Sequence, residues 1–155
     1  MDAQGIPWGE VMKMLFGKPG AIAAISGEGG ISGCVKFYSV PQGSLVVAEL
    51  CGLPTGEPGF FALHIHEGGD CGGEDFADTK GHFNPCGKPH PEHPGDLPPL
   101  LSCNGRAWMA VKTDRFTPCE VIGRTVVIHS DPDDFRTQPS GNAGRKIACG
   151  KVQKF

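Results

Sequence analysis

Residues 59–67 read Gly-Phe-Phe-Ala-Leu-His-Ile-His-Glu, a stretch that combines an apolar strand pattern with two closely spaced histidines. Successive side chains of a β-strand point to opposite faces, so His64 and His66 share one face while Ile65 lies on the other. Two imidazoles in this arrangement can chelate a single metal ion. The apolar residues before and between them make a half-exposed histidine pair the weaker interpretation.

Apolar and polar residues alternate with a period of two through much of the chain. The chain contains 24 glycines and 14 prolines but a single tyrosine. Turn segments such as 27–30 and 54–58 separate runs rich in Val, Ile and Phe. We predict strands at residues 21–26, 33–40, 44–50, 59–67, 106–112, 123–129 and 146–152. Short strands divided by turns indicate an all-β fold, a Greek-key antiparallel β-barrel or sandwich of about eight strands.

The first 19 residues follow a different period. Apolar side chains recur there at helical spacing: Trp8, Val11, Met12, Leu15 and Phe16. Residues 17–20, Gly-Lys-Pro-Gly, end the pattern. We therefore predict a short amphipathic helix in an N-terminal extension over residues 1–19, followed by one β-barrel domain over residues 20–155.

Charge and hydropathy limit the classes of partner. The net charge is −3 and the isoelectric point is near 6.0, so we expect neither nucleic acid nor an anionic membrane surface as a partner. No apolar run approaches the length of a membrane span. Residues 1–7 lack the basic region and apolar core of a secretory signal. If Met1 is the native start, a cytoplasmic location is expected.

The seven cysteines make an odd number, so at least one thiol is expected to be free. In a reducing cytosol most of them would be reduced. Cysteine is also a common small core residue. That default interpretation applies to four of the seven: Cys34, Cys51, Cys103 and Cys119.

All six histidines fall between residues 64 and 129. The long segment from 66 to 102 is rich in Gly, Pro, Asp and His, and a loop of that length is normally functional. It contains three imidazoles and one carboxylate in a short span, a set typical of tetrahedral zinc. These four candidate ligands are His82, His90, His93 and Asp96. Cys86 lies in the same loop and is an alternative soft ligand.

His129 ends the apolar run of residues 125–128, which predicts a rigid position at the end of a strand. Together with His64, His66 and His82 it would complete an all-imidazole set, which suits copper. His82 would then serve both ions, and it can do so only by bridging them through its two ring nitrogens.

The chain resembles the copper–zinc superoxide dismutase family over residues 20–152. Five motifs in the same order carry the resemblance: Ala-Leu-His-Ile-His-Glu at 62–67, Gly-His-Phe-Asn-Pro at 81–85, Gly-Asp-Leu at 95–97, Gly-Arg-Thr-Val-Val-Ile-His at 123–129 and Gly-Asn-Ala-Gly-Arg-Lys-Ile-Ala-Cys-Gly at 141–150. The resemblance implies a Greek-key β-barrel that holds a copper ion and a zinc ion joined by one histidine.

The resemblance also implies a role for each site residue. The implied copper ligands are His64, His66, His82 and His129, and the implied zinc ligands are His82, His90, His93 and Asp96. Asp133 matches an aspartate that hydrogen-bonds one histidine of each set, which fixes their tautomers. Cys71 and Cys149 match the intrachain disulfide of the family.

The implied activity is that of an oxidoreductase, the dismutation of superoxide to molecular oxygen and hydrogen peroxide. His82 and Lys146 are the implied catalytic residues. Lys146 stands where the family usually has an arginine. A lysine keeps the positive charge but lacks the planar guanidinium group that can bind with two N–H groups at once. The neighbouring Arg145 is the alternative residue for this role. Residues 90–93 and 135–140 are short for the family, as in compact bacterial-type members. Family members dimerise through different faces, so a homodimer is compatible with the sequence, but no face is selected.

Three other functions compete with this interpretation. The first is a non-catalytic copper-binding or copper-handling protein on the same fold. The second is a structural zinc domain without copper, and the third is a redox sensor that uses the additional thiols. Metal content measured together with superoxide turnover discriminates among them.

Overall fold

The computed structural model describes residues 7–155, and within that range the fold is built from nine strands and two α-helices. The strands are β1 (Ala21–Gly27), β2 (Ser32–Val40), β3 (Gly43–Cys51), β4 (Phe60–Phe61), β5 (Leu63–His66), β6 (Leu100–Leu101), β7 (Ala107–Thr113), β8 (Thr125–His129) and β9 (Lys146–Lys154). The helices are α1 (Trp8–Leu15) and α2 (Pro118–Val121), and short helical turns cover Glu28–Gly30 and Glu74–Thr79.

Seven of these strands form one antiparallel sheet in the order β5-β8-β9-β1-β2-β3-β7, and β4 pairs with β6. Strands β1 to β3 follow one another as hairpins. The chain then crosses to β4 and β5, returns to pair β7 with β3, and crosses again to place β8 between β5 and β9. This is the connectivity of a Greek key, so the predicted all-β fold is confirmed.

Every residue of β5 and β8 is buried, although the two strands still alternate. Leu63, Ile65 and the facing residues of β8 belong to the main hydrophobic core. His64 and His66 occupy the opposite face of β5, where they are also buried. The core therefore fixes the orientation of the histidine face, and the long loops cover it.

The predicted strand at residues 59–67 is wrong in one respect, because it is divided at Ala62. Phe60 and Phe61 pair with β6, whereas residues 63–66 pair with β8. At the division, Ala62 donates its N–H to Asp131 and accepts a hydrogen bond from the N–H of His129. The chain changes partner strand there without an interruption in its apolar pattern, so periodicity does not reveal the break.

Two short elements are absent from the sequence prediction. Strand β6 has only two residues, too few to carry a periodic signal. Helix α2 begins with a capping box in which Thr117 and Glu120 exchange hydrogen bonds, with Pro118 in the first turn. A four-residue helix offers no apolar stripe to detect.

Helix α1 lies within the predicted N-terminal helix, and it packs on the barrel through Val11, Met14 and Leu15. The barrel residues that it covers are Tyr38, Val40, Leu45 and Val47. Residues 1–6 of the predicted extension lie outside the described residues, and its boundary at residue 19 stays a prediction. In residues 7–155 no helix is both long and apolar enough to cross a membrane.

Cys71 and Cys149 form a disulfide that closes 78 residues of sequence and ties the loop after β5 to β9. The core interpretation of four other cysteines is wrong. Cys51, Cys103 and Cys119 are exposed and Cys34 is partly exposed. Cysteine is weakly polar as well as small, and these positions lie on outward faces or at strand and helix ends, which composition alone does not distinguish.

Candidate metal centre

The predicted ligands come together as two groups that share one histidine. In each group the potential ligand atoms all lie within 4.8 Å of one another. One group contains His64, His66, His82 and His129, and the other contains His82, His90, His93 and Asp96. We call these the four-histidine cluster and the Asp96 cluster.

Strand pairing positions the four-histidine cluster. His64 and His66 project from β5, which pairs with β8. His129 ends β8 at an irregularity in its pairing with β9, and the centre of its ring lies 4.9 Å from that of His64. His82 is brought to the same place by a bridge between its backbone and that of His66.

Hydrogen bonds to backbone carbonyl groups orient two of these rings. The Nδ1 atom of His66 lies 2.8 Å from the carbonyl oxygen of Lys80, and that of His129 lies 3.4 Å from the carbonyl oxygen of Gly144. The Nε2 atoms of the two histidines therefore face each other across 3.2 Å. With both Nδ1 atoms engaged as donors, both Nε2 atoms present lone pairs to the centre of the cluster.

Asp96 collects the three imidazoles of the second cluster. Its carboxylate lies 2.7 Å from Nδ1 of His82, 3.0 Å from Nδ1 of His90 and 3.1 Å from Nδ1 of His93. Nδ1 of His82 and Nδ1 of His93 are 3.3 Å apart. Four potential metal ligands therefore converge on one point. Three imidazoles and one carboxylate are a set that can supply all four ligands of a tetrahedral zinc site.

Three buried ring nitrogens make no hydrogen bond within residues 7–155: Nδ1 of His64, Nε2 of His82 and Nδ1 of His90. Nδ1 of His90 lies 3.0 Å from the Asp96 carboxylate but is not aligned with it for a hydrogen bond. Each of the three nitrogens belongs to a residue of the two clusters. An unsatisfied buried polar atom destabilises a protein by about 1–3 kcal/mol, so three such atoms in one place need an explanation. Metal coordination satisfies all three, and the residues present fit a pair of ions.

Asp133 joins the two clusters. Its carboxylate accepts a hydrogen bond from Nε2 of His64 at 2.7 Å and from Nε2 of His90 at 2.8 Å. Burial by itself would raise the pKa of Asp133, but the bonds from both imidazoles outweigh it and lower the pKa to about 2. The ionised carboxylate thus holds the outer nitrogen of one ring in each cluster, which leaves both Nδ1 atoms free to bind metal.

Burial lowers the pKa of three members of the four-histidine cluster, His64, His66 and His129. It lowers the pKa of His66 to about 2 and that of His129 to about 3, and neighbouring imidazoles add to the effect. The pKa of His64 is lowered by burial as well, against the opposing effect of Asp133. A neutral imidazole is the form that binds metal, so these rings are prepared as ligands.

We expect the metal-free protein to lose stability as the pH falls below about 6.5. Unfolded histidines bind protons near that pH, whereas folded His66 and His129 remain neutral until about 2 and about 3. The unfolded chain then binds more protons, so each histidine lowers the free energy of unfolding by up to about 1.4 kcal/mol per pH unit. Asp133 acts in the same direction at lower pH, because its pKa falls from 3.8 to about 2 on folding. Thermal unfolding of the metal-free protein at several pH values tests this, and a melting temperature that rises on acidification would contradict it.

Lys146 lies beside the four-histidine cluster, in register with His129. Its ammonium donates hydrogen bonds to Oγ1 of Thr79 at 2.7 Å and to the carbonyl oxygens of Lys80 at 3.2 Å and Phe76 at 3.3 Å. Partial burial lowers the pKa of Lys146. Because the carbonyl oxygen of Lys80 also accepts from His66, one atom links this cation to the cluster.

The alternative cation, Arg145, lies elsewhere. Its guanidinium pairs with Glu28 and is largely exposed. The side chains of adjacent strand residues point to opposite faces, so Lys146 and Arg145 cannot both face the cluster. Cys86, the alternative soft ligand, is exposed and belongs to neither cluster.

Three polar residues that no sequence pattern singled out contact this region. Thr79 accepts from Lys146, Gln138 bonds to the backbone of His90, and Arg115 bonds to the backbone of His93. None belongs to a motif, and each acts through a contact between segments distant in sequence. A sequence signal for them does not exist in a single chain.

Comparison with known proteins identifies the family. A family model described as copper/zinc superoxide dismutase matches residues 31–152. A copper–zinc superoxide dismutase of Aquifex aeolicus is 36% identical over 144 residues, which cover 83% of this chain and 83% of that protein. Another from Caulobacter vibrioides is 32% identical over 151 residues, with 83% and 82% covered, and one from Deinococcus radiodurans is 36% identical over 146 residues, with 81% and 79% covered. With the two clusters and the Greek-key fold already in place, these matches mean that the chain belongs to the copper/zinc superoxide dismutase family.

Proposed function

We propose that this protein dismutes superoxide to molecular oxygen and hydrogen peroxide, with copper held by the four-histidine cluster and zinc by the Asp96 cluster. The observation that carries the proposal is the position of His82. His82 belongs to both clusters; its Nδ1 atom lies 2.7 Å from Asp96, whereas its Nε2 atom is buried and has no hydrogen-bond partner within residues 7–155. One imidazole thus faces both ions, an arrangement that neither a zinc domain nor a simple copper carrier requires.

Copper supplies one-electron redox cycling when bound, which zinc cannot supply. Over one cycle two superoxide anions and two protons become one dioxygen and one hydrogen peroxide, because one anion is oxidised and the other is reduced. The chain must therefore deliver protons. Nε2 of His82 can hold a proton when it is not bound to metal and pass it to the reduced product, while Nδ1 would keep the ring anchored in the Asp96 cluster.

Lys146 attracts the anionic substrate. The protein carries a net charge of −3, so attraction of superoxide depends on a local positive charge beside the site. An ammonium group has three N–H donors, and all three are directed to acceptors of the chain itself: Thr79, Lys80 and Phe76. Lys146 therefore acts through its charge and offers no free N–H to the substrate, unlike an arginine with its five donors.

Replacing Lys146 by glutamine is expected to lower kcat/KM for superoxide about 10-fold at low salt and to weaken its dependence on ionic strength. The reason is the loss of the local attraction, since the ligands stay in place. Dismutation rates measured over a series of salt concentrations test the expectation.

The matched control is Lys151→Gln, the same change of charge at an exposed position of the same strand. It should leave the rate close to that of the unmodified protein. If both variants lose the same activity, net charge and not Lys146 guides the substrate.

The function itself is tested by loading the metal-free protein with copper and zinc and measuring bound metal together with dismutation. We expect one equivalent of each metal, turnover with both, and no turnover with zinc alone. Two bound metals without turnover would overturn the enzyme and favour a copper-handling protein. Binding of zinc alone after exposure to copper would favour a structural zinc domain.

Superoxide is the small-molecule partner in this proposal. The cytoplasmic location, the homodimer and the absence of nucleic-acid and membrane partners stay predictions from the sequence.

A further inference from the structure

The segment that contains His90 and His93 is a short turn outside the named strands, and the chain pairs with β5 just after it, where Asp96 bridges His64 and Gly95 accepts from the N–H of Ile65. Local backbone hydrogen bonds run from Glu92 to Pro89 and from Asp96 to His93. These bonds shape the turn but do not attach it to the barrel. Ligands on such a segment need other contacts to hold their geometry.

Gln138 attaches the first end of this segment. Its Oε1 atom accepts a hydrogen bond from the backbone N–H of His90 at 2.9 Å, and its Nε2 atom donates to the carbonyl oxygen of His90 at 2.6 Å. The side-chain amide thus satisfies both backbone groups of one residue, as a neighbouring strand would. Asp133, in the same loop as Gln138, holds the ring of His90 at 2.8 Å. Two residues of the loop after β8 therefore hold His90, one through its backbone and the other through its ring.

Arg115 attaches the other end. This residue follows β7, and its Nη1 atom donates to the carbonyl oxygen of Pro91 at 2.8 Å and to that of His93 at 3.2 Å. A hydrogen bond from a charged donor is stronger than one between neutral groups. Two segments distant in sequence, one after β7 and one after β8, thus hold the turn from both ends.

We propose that Gln138 and Arg115 are positioning residues for the zinc ligands His90 and His93. This inference rests on the proposed function, which assigns zinc to the Asp96 cluster. Holding the backbone of both ligands in place reduces the conformational freedom that is lost when zinc binds, and it fixes the directions of their Nδ1 atoms. Neither residue belongs to the two ligand clusters, and within residues 7–155 neither side chain makes a hydrogen bond to the four-histidine cluster.

Gln138→Ala and Arg115→Gln are each expected to weaken zinc binding about 10-fold in competition with a chelator, and the double variant more than either. Copper binding to the four-histidine cluster should stay unchanged. Matched controls are Gln153→Ala on β9 and Arg106→Gln before β7, both at exposed positions whose side chains make no hydrogen bond to the turn within residues 7–155. Both controls should bind zinc as the unmodified protein does.

Geometry is tested separately by binding Co²⁺ to the Asp96 cluster and recording its visible spectrum. The two variants should change the intensity and position of the cobalt bands, and the two controls should not. The conservative variants Gln138→Glu and Arg115→Lys each keep part of the hydrogen bonding, and they should restore part of the zinc affinity.

Unchanged zinc affinity and an unchanged cobalt spectrum in both variants would overturn the inference. Equal losses of copper and zinc affinity, together with a lower melting temperature of the metal-free variants, would also overturn it, because they indicate general loosening. If the unmodified protein binds no metal at the Asp96 cluster, the proposed function fails, and that outcome is distinct from a failure of the variants alone.

Discussion

Replacing His82 by alanine is expected to weaken the binding of both metals by more than about 100-fold and to abolish dismutation at metal concentrations that saturate the unmodified protein. Loss of an outer hydrogen-bond partner of a ligand already lowers metal affinity by about 10–100-fold, and loss of the ligand itself exceeds that. His82 belongs to both clusters, so a single substitution removes a donor from each. It also removes the group that holds and transfers the proton.

Chelator competition for copper and for zinc, measured separately, tests this expectation. The matched control is His93→Ala, which removes an imidazole from the Asp96 cluster alone. That variant should lose zinc affinity and keep most of its copper affinity. If His82→Ala loses only one metal, the shared role of His82 is wrong.

Replacing Asp133 by alanine is expected to lower the affinity for both metals by about 10–100-fold, although Asp133 binds neither of them directly. The carboxylate accepts hydrogen bonds from His64 at 2.7 Å and from His90 at 2.8 Å, one ligand in each cluster. Without it the two rings lose their fixed orientation and tautomer. In each ring the proton can then sit on Nδ1 instead of Nε2, and a protonated Nδ1 cannot bind metal.

Asp133→Asn removes both the charge and one of the two hydrogen bonds at this position, and a control at the adjacent aspartate separates the two effects. An amide has one acceptor oxygen in place of two and presents an N–H₂ group to the second histidine, so only one of the two rings can keep its bond. The control is Asp134→Asn, the same change at the adjacent residue, whose carboxylate bonds to Thr137 and to the backbone of Arg136. A loss of affinity in the control equal to that in Asp133→Asn would assign the effect to charge in the loop.

Much of the fold was predictable because apolar and polar residues alternate along a strand that has one buried face and one exposed face. The strand at residues 21–26 follows this rule and lies within β1 of the structure. The strand at residues 44–50 lies within β3 but departs from the rule, because α1 also covers Leu45 and Val47 on its outer face. The rule failed at Ala62, where the chain exchanges one partner strand for another while its apolar pattern continues. The core interpretation of four cysteines failed for a different reason: it rested on residue type alone, and the small side chain of cysteine is compatible with either side of a strand.

The sequence by itself determined the chemical inventory of the site, since every histidine and Asp96 is identified by residue type and spacing. The spacing of His64 and His66 suffices to place both rings on one face of a strand. What only the tertiary structure decided is which atom of each residue faces which neighbour. It directs the two nitrogens of His82 to different clusters, uses all the donors of Lys146, turns Arg145 toward Glu28, and brings Gln138 to His90. These hydrogen bonds join residues separated by as many as 117 positions, as in Arg145 and Glu28, or by 48, as in Gln138 and His90. Local spacing carries no information at that range, because such contacts depend on how the loops pack on the finished barrel.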